Sequence, residues 1–97
     1  MKRRPLIIIT STSEIMLDGP VLAVAVTTTF PNPTPRSCVE LPWYRNGHPA
    51  TGFARRCAAV CNWLVSLRPS QVDEIKGYLP SRWLSLVIDR VHELNAQ

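Results

Sequence analysis

The chain has 97 residues, of which 45% are hydrophobic and 19% charged, a composition typical of one small folded domain and unlike that of a disordered chain. Its eleven basic and seven acidic residues give a net charge of +4, and because most of the basic residues are arginines, this favours a phosphate-bearing or acidic partner. The longest apolar runs fall well short of the roughly 18 residues of a membrane span, so we expect a single domain over residues 1–97, without a membrane anchor and cytoplasmic.

Residues 5–9 and 21–29 predict the first two strands, because both stretches are largely apolar and contain no charged residue, and the second is rich in valine and threonine. The basic residues before the first strand resemble the start of a signal peptide, but the apolar run is too short and no cleavage pattern follows. The second stretch should be a central strand, and it delivers three threonine hydroxyls to a proline-rich bend at residues 30–35. Arg4 can lie near Thr27 only if these two strands are antiparallel, which the intervening loop permits but does not require.

Residues 36–41 alternate apolar and polar side chains, as an edge strand or a half-exposed strand does. Residues 42–52 form a loop by composition, and within it Trp43 and Tyr44 precede Arg45. These aromatic side chains can stack on nucleobases or fold back over a small core, and we favour the second role.

Residues 57–65 predict a further strand with small residues on one face, which comprises Cys57, Ala59, Cys61, Trp63 and Val65. Residues 68–70 end this strand, and residues 72–79 form a connector with room for one short strand. From residue 81 to about 95, apolar side chains recur at helical spacing and predict a helix that covers the sheet: Leu84, Val87, Ile88, Val91 and Leu94.

The three cysteines form no CxxC pair, and both histidines lie far from them in sequence. We therefore expect buried, reduced thiols rather than a zinc site, and neither a metal nor a cofactor.

Four segments in this order carry a family resemblance. Arg3-Arg4-Pro5 leads into an apolar strand, and residues 23–29 form an apolar strand that ends in threonine. Residues 51–67 form a third segment, and residues 76–79 with the final helix form the fourth. Together they resemble the MazF/PemK family of toxin endoribonucleases from type II toxin–antitoxin systems. The resemblance covers nearly the whole chain, although each motif is short.

The resemblance implies an α+β fold, a small SH3-like antiparallel β-barrel with a C-terminal α-helix. It also implies a homodimer that a cognate antitoxin protein neutralises. The implied activity is sequence-specific, metal-independent cleavage of single-stranded RNA by attack of the 2′-hydroxyl on the adjacent phosphate. The family's catalytic pair falls on Arg4 and Thr27. Candidates for gripping the RNA, with an ordinary solvated surface as the alternative, are Arg3, Thr28, Arg36, Arg45, Arg55 and Arg56.

Physical chemistry assigns distinct roles to the two candidate catalytic residues. A cyclising phosphate gains negative charge, which a fixed guanidinium stabilises. Arginine stays protonated at neutral pH, so Arg4 suits charge stabilisation rather than proton acceptance. Thr27 would position the phosphate or the 2′-hydroxyl by hydrogen bonding.

The chain departs from the family pattern at two places. Family members usually have a further strand before the Arg-Pro motif, and its loss would open an edge of the barrel. Asn62-Trp63 replaces the acidic or amide pair usual in the family. Two alternatives therefore stay open: a non-catalytic, protein-binding toxin like the related CcdB proteins, and a relative that binds RNA without cutting it.

Overall fold

The computed structural model describes residues 4–10 and 19–95. Within these ranges the chain forms four strands, one 3₁₀ turn and one α-helix. The strands are β1 (Leu6–Ile8), β2 (Val21–Thr27), β3 (Cys38–Glu40) and β4 (Ala58–Leu67), followed by the 3₁₀ turn Pro69–Gln71 and the helix α1 (Ser81–Asn95). The four strands fall close to their predicted positions, and the helix matches its predicted span.

The strands form one antiparallel sheet in the order β1-β2-β4-β3. The α+β class is therefore confirmed, and β2 is an inner strand while β3 is an edge strand, as predicted. The SH3-like barrel is not confirmed, because within the described residues the sheet does not close and β1 and β3 form its two edges.

β4 contains an interruption that the sequence pattern does not reveal. Val24 of β2 pairs with Leu64, whereas the next residue, Ala25, pairs with Val60, so residues 61–63 form a bulge opposite β2. A bulge resets the alternation of side chains between the two faces of a sheet. The predicted face that joined Trp63 and Val65 to the cysteines is therefore wrong, since Leu64 contacts the core and Trp63 is 45% exposed.

The helix covers one face of the sheet, as its apolar spacing predicts. Val87 and Val91 are buried, and Leu84 and Leu94 pack against the same core. The sheet contributes mainly small and branched side chains to this core: Ile7, Val24, Val26, Val39, Cys57, Ala59 and Cys61. Small residues on the sheet allow the helix to approach closely, so the expected packing of α1 over the sheet is confirmed.

The segment between β4 and α1 docks against the loop that precedes β4. A Cβ atom at Gly77 would lie 2.2 Å from the carbonyl oxygen of Ala50, which only glycine can avoid. The amide of Tyr78 donates a hydrogen bond to the same oxygen at 2.9 Å. Residues 72–79 contain no strand, so the short strand considered for this connector is absent.

Candidate functional site

The antiparallel pairing of β1 with β2 brings the two predicted catalytic residues together. Leu6 pairs with Ala25, and the Val26 amide donates to the carbonyl of Pro5 at 3.2 Å. One further step along this register places Arg4 opposite Thr27, and directly opposed residues of an antiparallel pair have Cα atoms about 5 Å apart. Because Val26 points into the core under α1, Thr27 points to the opposite face of the sheet. The pair thus lies at one rim of the sheet, on the face opposite to α1.

The hydroxyl of Thr27 is held in place by the turn that follows it. Its Oγ1 atom accepts a hydrogen bond from the amide of Thr29 and lies 3.1 Å from that residue's carbonyl oxygen, to which it can donate. Thr28 is exposed beside it. The local turn therefore fixes the position of the Thr27 oxygen, and a ligand oxygen can replace the Thr29 carbonyl as acceptor of its proton.

The guanidinium of Arg4 lies beside an aromatic ring. Its guanidinium carbon lies 5.2 Å from the ring centroid of Trp63, within the range of a cation–π interaction. In the part of the chain that the structure describes, no carboxylate pairs with Arg4, and its side chain is exposed. Sequence reasoning missed Trp63 as a candidate site residue. Strict alternation along an unbroken strand puts Trp63 on the same face as the buried cysteines, and only the bulge moves it away from them.

Arg56 lies near the same rim, but its charge is already paired. Thr27 pairs with Ala58 and Ala58 pairs with Glu40, so these residues form one row across three strands. Glu40 accepts hydrogen bonds from Arg56 Nη2 at 2.8 Å and from Thr34 at 2.9 Å, and these contacts lower its pKa, with Thr34 the larger cause. The Arg56 guanidinium also lies 3.9 Å over the ring centroid of Phe30. These contacts give Arg56 a role in tying the bend after β2 to β3 and β4.

The remaining predicted RNA-binding arginines divide into two groups. Arg36 forms an ion pair with Glu93, and its carbonyl accepts a hydrogen bond from Arg90, so it is bound to α1. Arg45 and Arg55 are exposed and form no ion pair with any described residue. Arg3 lies outside the described residues. Of the predicted RNA-binding arginines that the structure describes, Arg4, Arg45 and Arg55 are therefore the ones without an ion pair to a described residue.

The loop before β4 is compact and displays its aromatic side chains. The amides of Tyr44 and His48 both donate to the carbonyl of Phe53, at 3.1 and 3.0 Å, and the buried Thr51 donates its hydroxyl to the carbonyl of Pro42 at 3.0 Å. Trp43 is 40% exposed and Tyr44 is 58% exposed. The expectation that they fold over the core is wrong, because both side chains are exposed, whereas Leu41 and Phe53 from the same part of the chain contact the core.

The cysteines are confirmed as free and buried. Burial raises the pKa of both Cys57 and Cys61 to about 11, so these thiols stay neutral and are poor nucleophiles at neutral pH. Cysteine chemistry at these two positions is thus disfavoured.

An apolar groove of about 480 Å³ lies away from the catalytic pair. Its lining includes Ile8 and Val21, and Val21 is at the opposite end of β2 from Thr27. Residues 69 and 72–75 form the rest of its wall. The groove is therefore separate from the rim that carries Arg4 and Thr27.

Within residues 4–10 and 19–95, no group of three or more histidine, cysteine, aspartate or glutamate side chains is placed to hold a metal ion. Over the same ranges, no helix has the length and apolar character needed to cross a membrane. Comparison with models of known protein families finds no match, and comparison with curated proteins finds none either.

Proposed function

We propose that this protein is a sequence-specific, metal-independent endoribonuclease of the MazF/PemK toxin type, which cuts single-stranded RNA at the rim formed by Arg4 and Thr27. The supporting observation is the β1–β2 register, which sets the Arg4 guanidinium, without an ion pair to any described residue, opposite the positioned Thr27 hydroxyl on the face of the sheet away from α1. This is the pair that the family resemblance singles out, and the register was not known from the sequence.

The proposed reaction is an intramolecular displacement at phosphorus. The 2′-oxygen of one nucleotide forms a bond to the adjacent phosphorus, and the bond from phosphorus to the 5′-oxygen of the next nucleotide breaks. The 2′-hydroxyl proton leaves to solvent, and the departing 5′-oxygen takes a proton from solvent. Arg4 donates hydrogen bonds to the non-bridging oxygens, where charge grows in the transition state. Thr27 holds the phosphate by donating its hydroxyl proton.

The proposal includes the finer features that the resemblance implies. These are a homodimer with an SH3-like barrel and an antitoxin with an acidic, extended segment. The exposed guanidinium groups of Arg4, Arg45 and Arg55, which form no ion pair with the described residues, and the net charge of +4 suit such an acidic segment.

The proposal is tested by incubating the purified chain with a long single-stranded RNA in EDTA and mapping the new 5′ ends. We expect cuts at discrete sites. Arg4→Ala and Thr27→Ala should each slow cutting by roughly 10²- to 10³-fold, as does loss of a single donor to a transition-state oxygen in other enzymes.

The matched control for Arg4→Ala is Arg82→Ala, which removes one exposed positive charge from α1, and it should cut at the wild-type rate. Thr27→Ser keeps the hydroxyl and should retain most activity. A folded wild-type chain that leaves RNA intact, or an Arg4→Ala variant that cuts normally, contradicts the proposal.

A second candidate function is RNA binding without cleavage. The exposed Trp43, Tyr44 and Trp63 favour it, because aromatic side chains beside unpaired arginines are typical of single-strand binding surfaces. A chain that binds RNA with salt-dependent affinity and never cuts it would support this candidate over the nuclease.

A further inference from the structure

We propose that Trp63 is the base-stacking residue of this protein: its indole takes one nucleobase of a single strand whose neighbouring phosphate lies at Arg4 and Thr27. This inference rests on the proposed function for the placement of the phosphate. It adds a recognition residue to that site and defines the ligand as single-stranded, because bases within a duplex are already stacked on each other.

The bulge in β4 is the feature that exposes Trp63. Cys57, Ala59 and Cys61 alternate into the core beneath α1, and an unbroken strand would continue this series with Trp63. The register shift opposite Val24 and Ala25 instead gives the core position to Leu64. A large apolar ring is thereby kept out of the core under α1 and left 45% exposed. Bulges are frequent beside functional sites for this reason, since they redirect a side chain.

The contact between Arg4 and Trp63 differs from the structural contact between Arg56 and Phe30 in its distance and in the pairing of the arginine. The guanidinium of Arg56 lies 3.9 Å from the centroid of Phe30, which is close stacking, and Glu40 neutralises its charge. The guanidinium of Arg4 lies 5.2 Å from the centroid of Trp63 and has no carboxylate partner among the described residues. With 45% of Trp63 exposed, both the ring and the charge are accessible to a ligand.

A nucleotide matches this arrangement in both of its parts. Its base offers a π-face to the indole, and its phosphate offers oxygens to the guanidinium and to the Thr27 hydroxyl. Thr27 and Arg4 lie on the face away from α1, and the contact with Arg4 shows that the Trp63 ring reaches the same side. Stacking of one base on an aromatic side chain strengthens binding by roughly 5- to 150-fold, so loss of the ring should be readily measured.

The test uses the full chain with Trp43→Phe and Trp83→Phe, which leaves Trp63 as the only tryptophan. Its fluorescence is followed during titration with a short deoxythymidine oligonucleotide, which has no 2′-hydroxyl and cannot be cut. We expect quenching by the oligonucleotide. Inorganic tripolyphosphate, which supplies charge without bases, should not quench. Equal quenching by both, or by neither, overturns the inference.

Affinity of single-site variants gives an independent measurement. Trp63→Leu should weaken oligonucleotide binding by roughly 5- to 150-fold, whereas Trp63→Phe, which keeps an aromatic face, should stay much closer to the wild type. Thermal melting of each variant establishes that it is folded. A folded Trp63→Leu variant with wild-type affinity overturns the inference, and if that variant fails to fold, the fluorescence result decides.

Failure of this inference is distinguishable from failure of the proposed function. If the wild-type chain cuts RNA and Trp63→Leu cuts it with unchanged KM and kcat, the nuclease stands and the stacking role is wrong. If no RNA is cut but the oligonucleotide quenches Trp63 and tripolyphosphate does not, the stacking role stands and the nuclease is wrong.

Discussion

Arg55 and Arg56 are neighbours in sequence with opposite surroundings. Arg55 is exposed without an ion pair to any described residue, while Arg56 is paired with Glu40 and lies over Phe30. An arginine contributes to phosphate binding to the extent that its charge is free to release counterions from the nucleic acid. Adjacent positions in one chain thus hold one arginine that is accessible to a phosphate and one whose contacts stabilise the fold.

We expect Arg55→Ala to reduce the salt dependence of single-stranded RNA binding, lowering the slope of log K against log salt by about 0.7, with an unchanged melting temperature. Arg56→Ala should leave this slope unchanged and lower the melting temperature. Filter binding at several salt concentrations and thermal melting provide both readouts. If Arg56→Ala reduced the slope as much as Arg55→Ala does, the structural assignment of Arg56 would be incorrect.

The buried thiols make a prediction about alkaline pH. Their pKa of about 11 in the folded chain exceeds the value of 9.0 of a free thiol, so the folded state favours the protonated form. This contribution to stability is fully present below pH 9 and is lost as the pH rises from about 9 to about 11. Urea unfolding should therefore show a falling free energy of unfolding over this window.

Other groups also titrate at alkaline pH, so the comparison needs a matched variant. The double variant Cys57→Ala/Cys61→Ala is less stable at neutral pH because it leaves small cavities. Its free energy of unfolding should nevertheless fall less steeply between pH 9 and 11. Parallel pH dependences for the two proteins would show that these thiols do not carry the effect.

At the scale of elements, the packing of α1 distinguishes two adjacent apolar residues. Val87 is fully buried against the sheet, while Leu86 is about half exposed. Val87→Ala should cost about 1–3 kcal/mol of unfolding free energy through lost contacts and a residual cavity. Leu86→Ala should cost less than about 1 kcal/mol. Both keep a good helix former, so chemical denaturation of the two variants isolates the packing. Equal losses would contradict the orientation of the helix.

The sequence predicted those elements whose signal is local. The uncharged run of β2 and the apolar spacing of Leu84, Val87 and Val91 each lie within one segment, and both elements are found where expected. The bulge in β4 depends on which residues of β2 it pairs with, so strand alternation alone misplaced Trp63.

The candidate site was predictable to a similar extent. Arg4 and Thr27 were named from the resemblance, but their proximity needs the antiparallel register of β1 and β2. The pairing of Arg36 with Glu93 and of Arg56 with Glu40 joins residues far apart in sequence. A count of arginines cannot separate such paired charges from free ones.

At the scale of the whole molecule, the open sheet leaves two edges, β1 and β3, and each is only three residues long. Short edge strands offer few free backbone groups to another chain. β2 is different, since its seven residues are uncharged and mostly buried, and β1 covers one side of it. Such a segment is prone to pair with copies of itself when it is exposed.

Deletion of residues 1–9, which removes β1, should therefore cause aggregation at concentrations at which the full chain stays clear. Light scattering and thioflavin T fluorescence provide the measurement. Deletion of residues 1–3 alone, which keeps β1, is the matched control and should not aggregate. A β1-deleted chain that stayed monomeric and clear would show that β2 does not need this protection.

The order of pairing also has a consequence for synthesis on the ribosome. β1 and β2 are close in sequence and form a hairpin, whereas the other partner of β2, β4, is made much later. Local hairpins close faster than long-range pairs, because the loop-closure entropy is smaller. β1 is thus available to cover one edge of β2 while the chain is incomplete. By covering this edge of β2 during translation, β1 would reduce the association of nascent chains with one another.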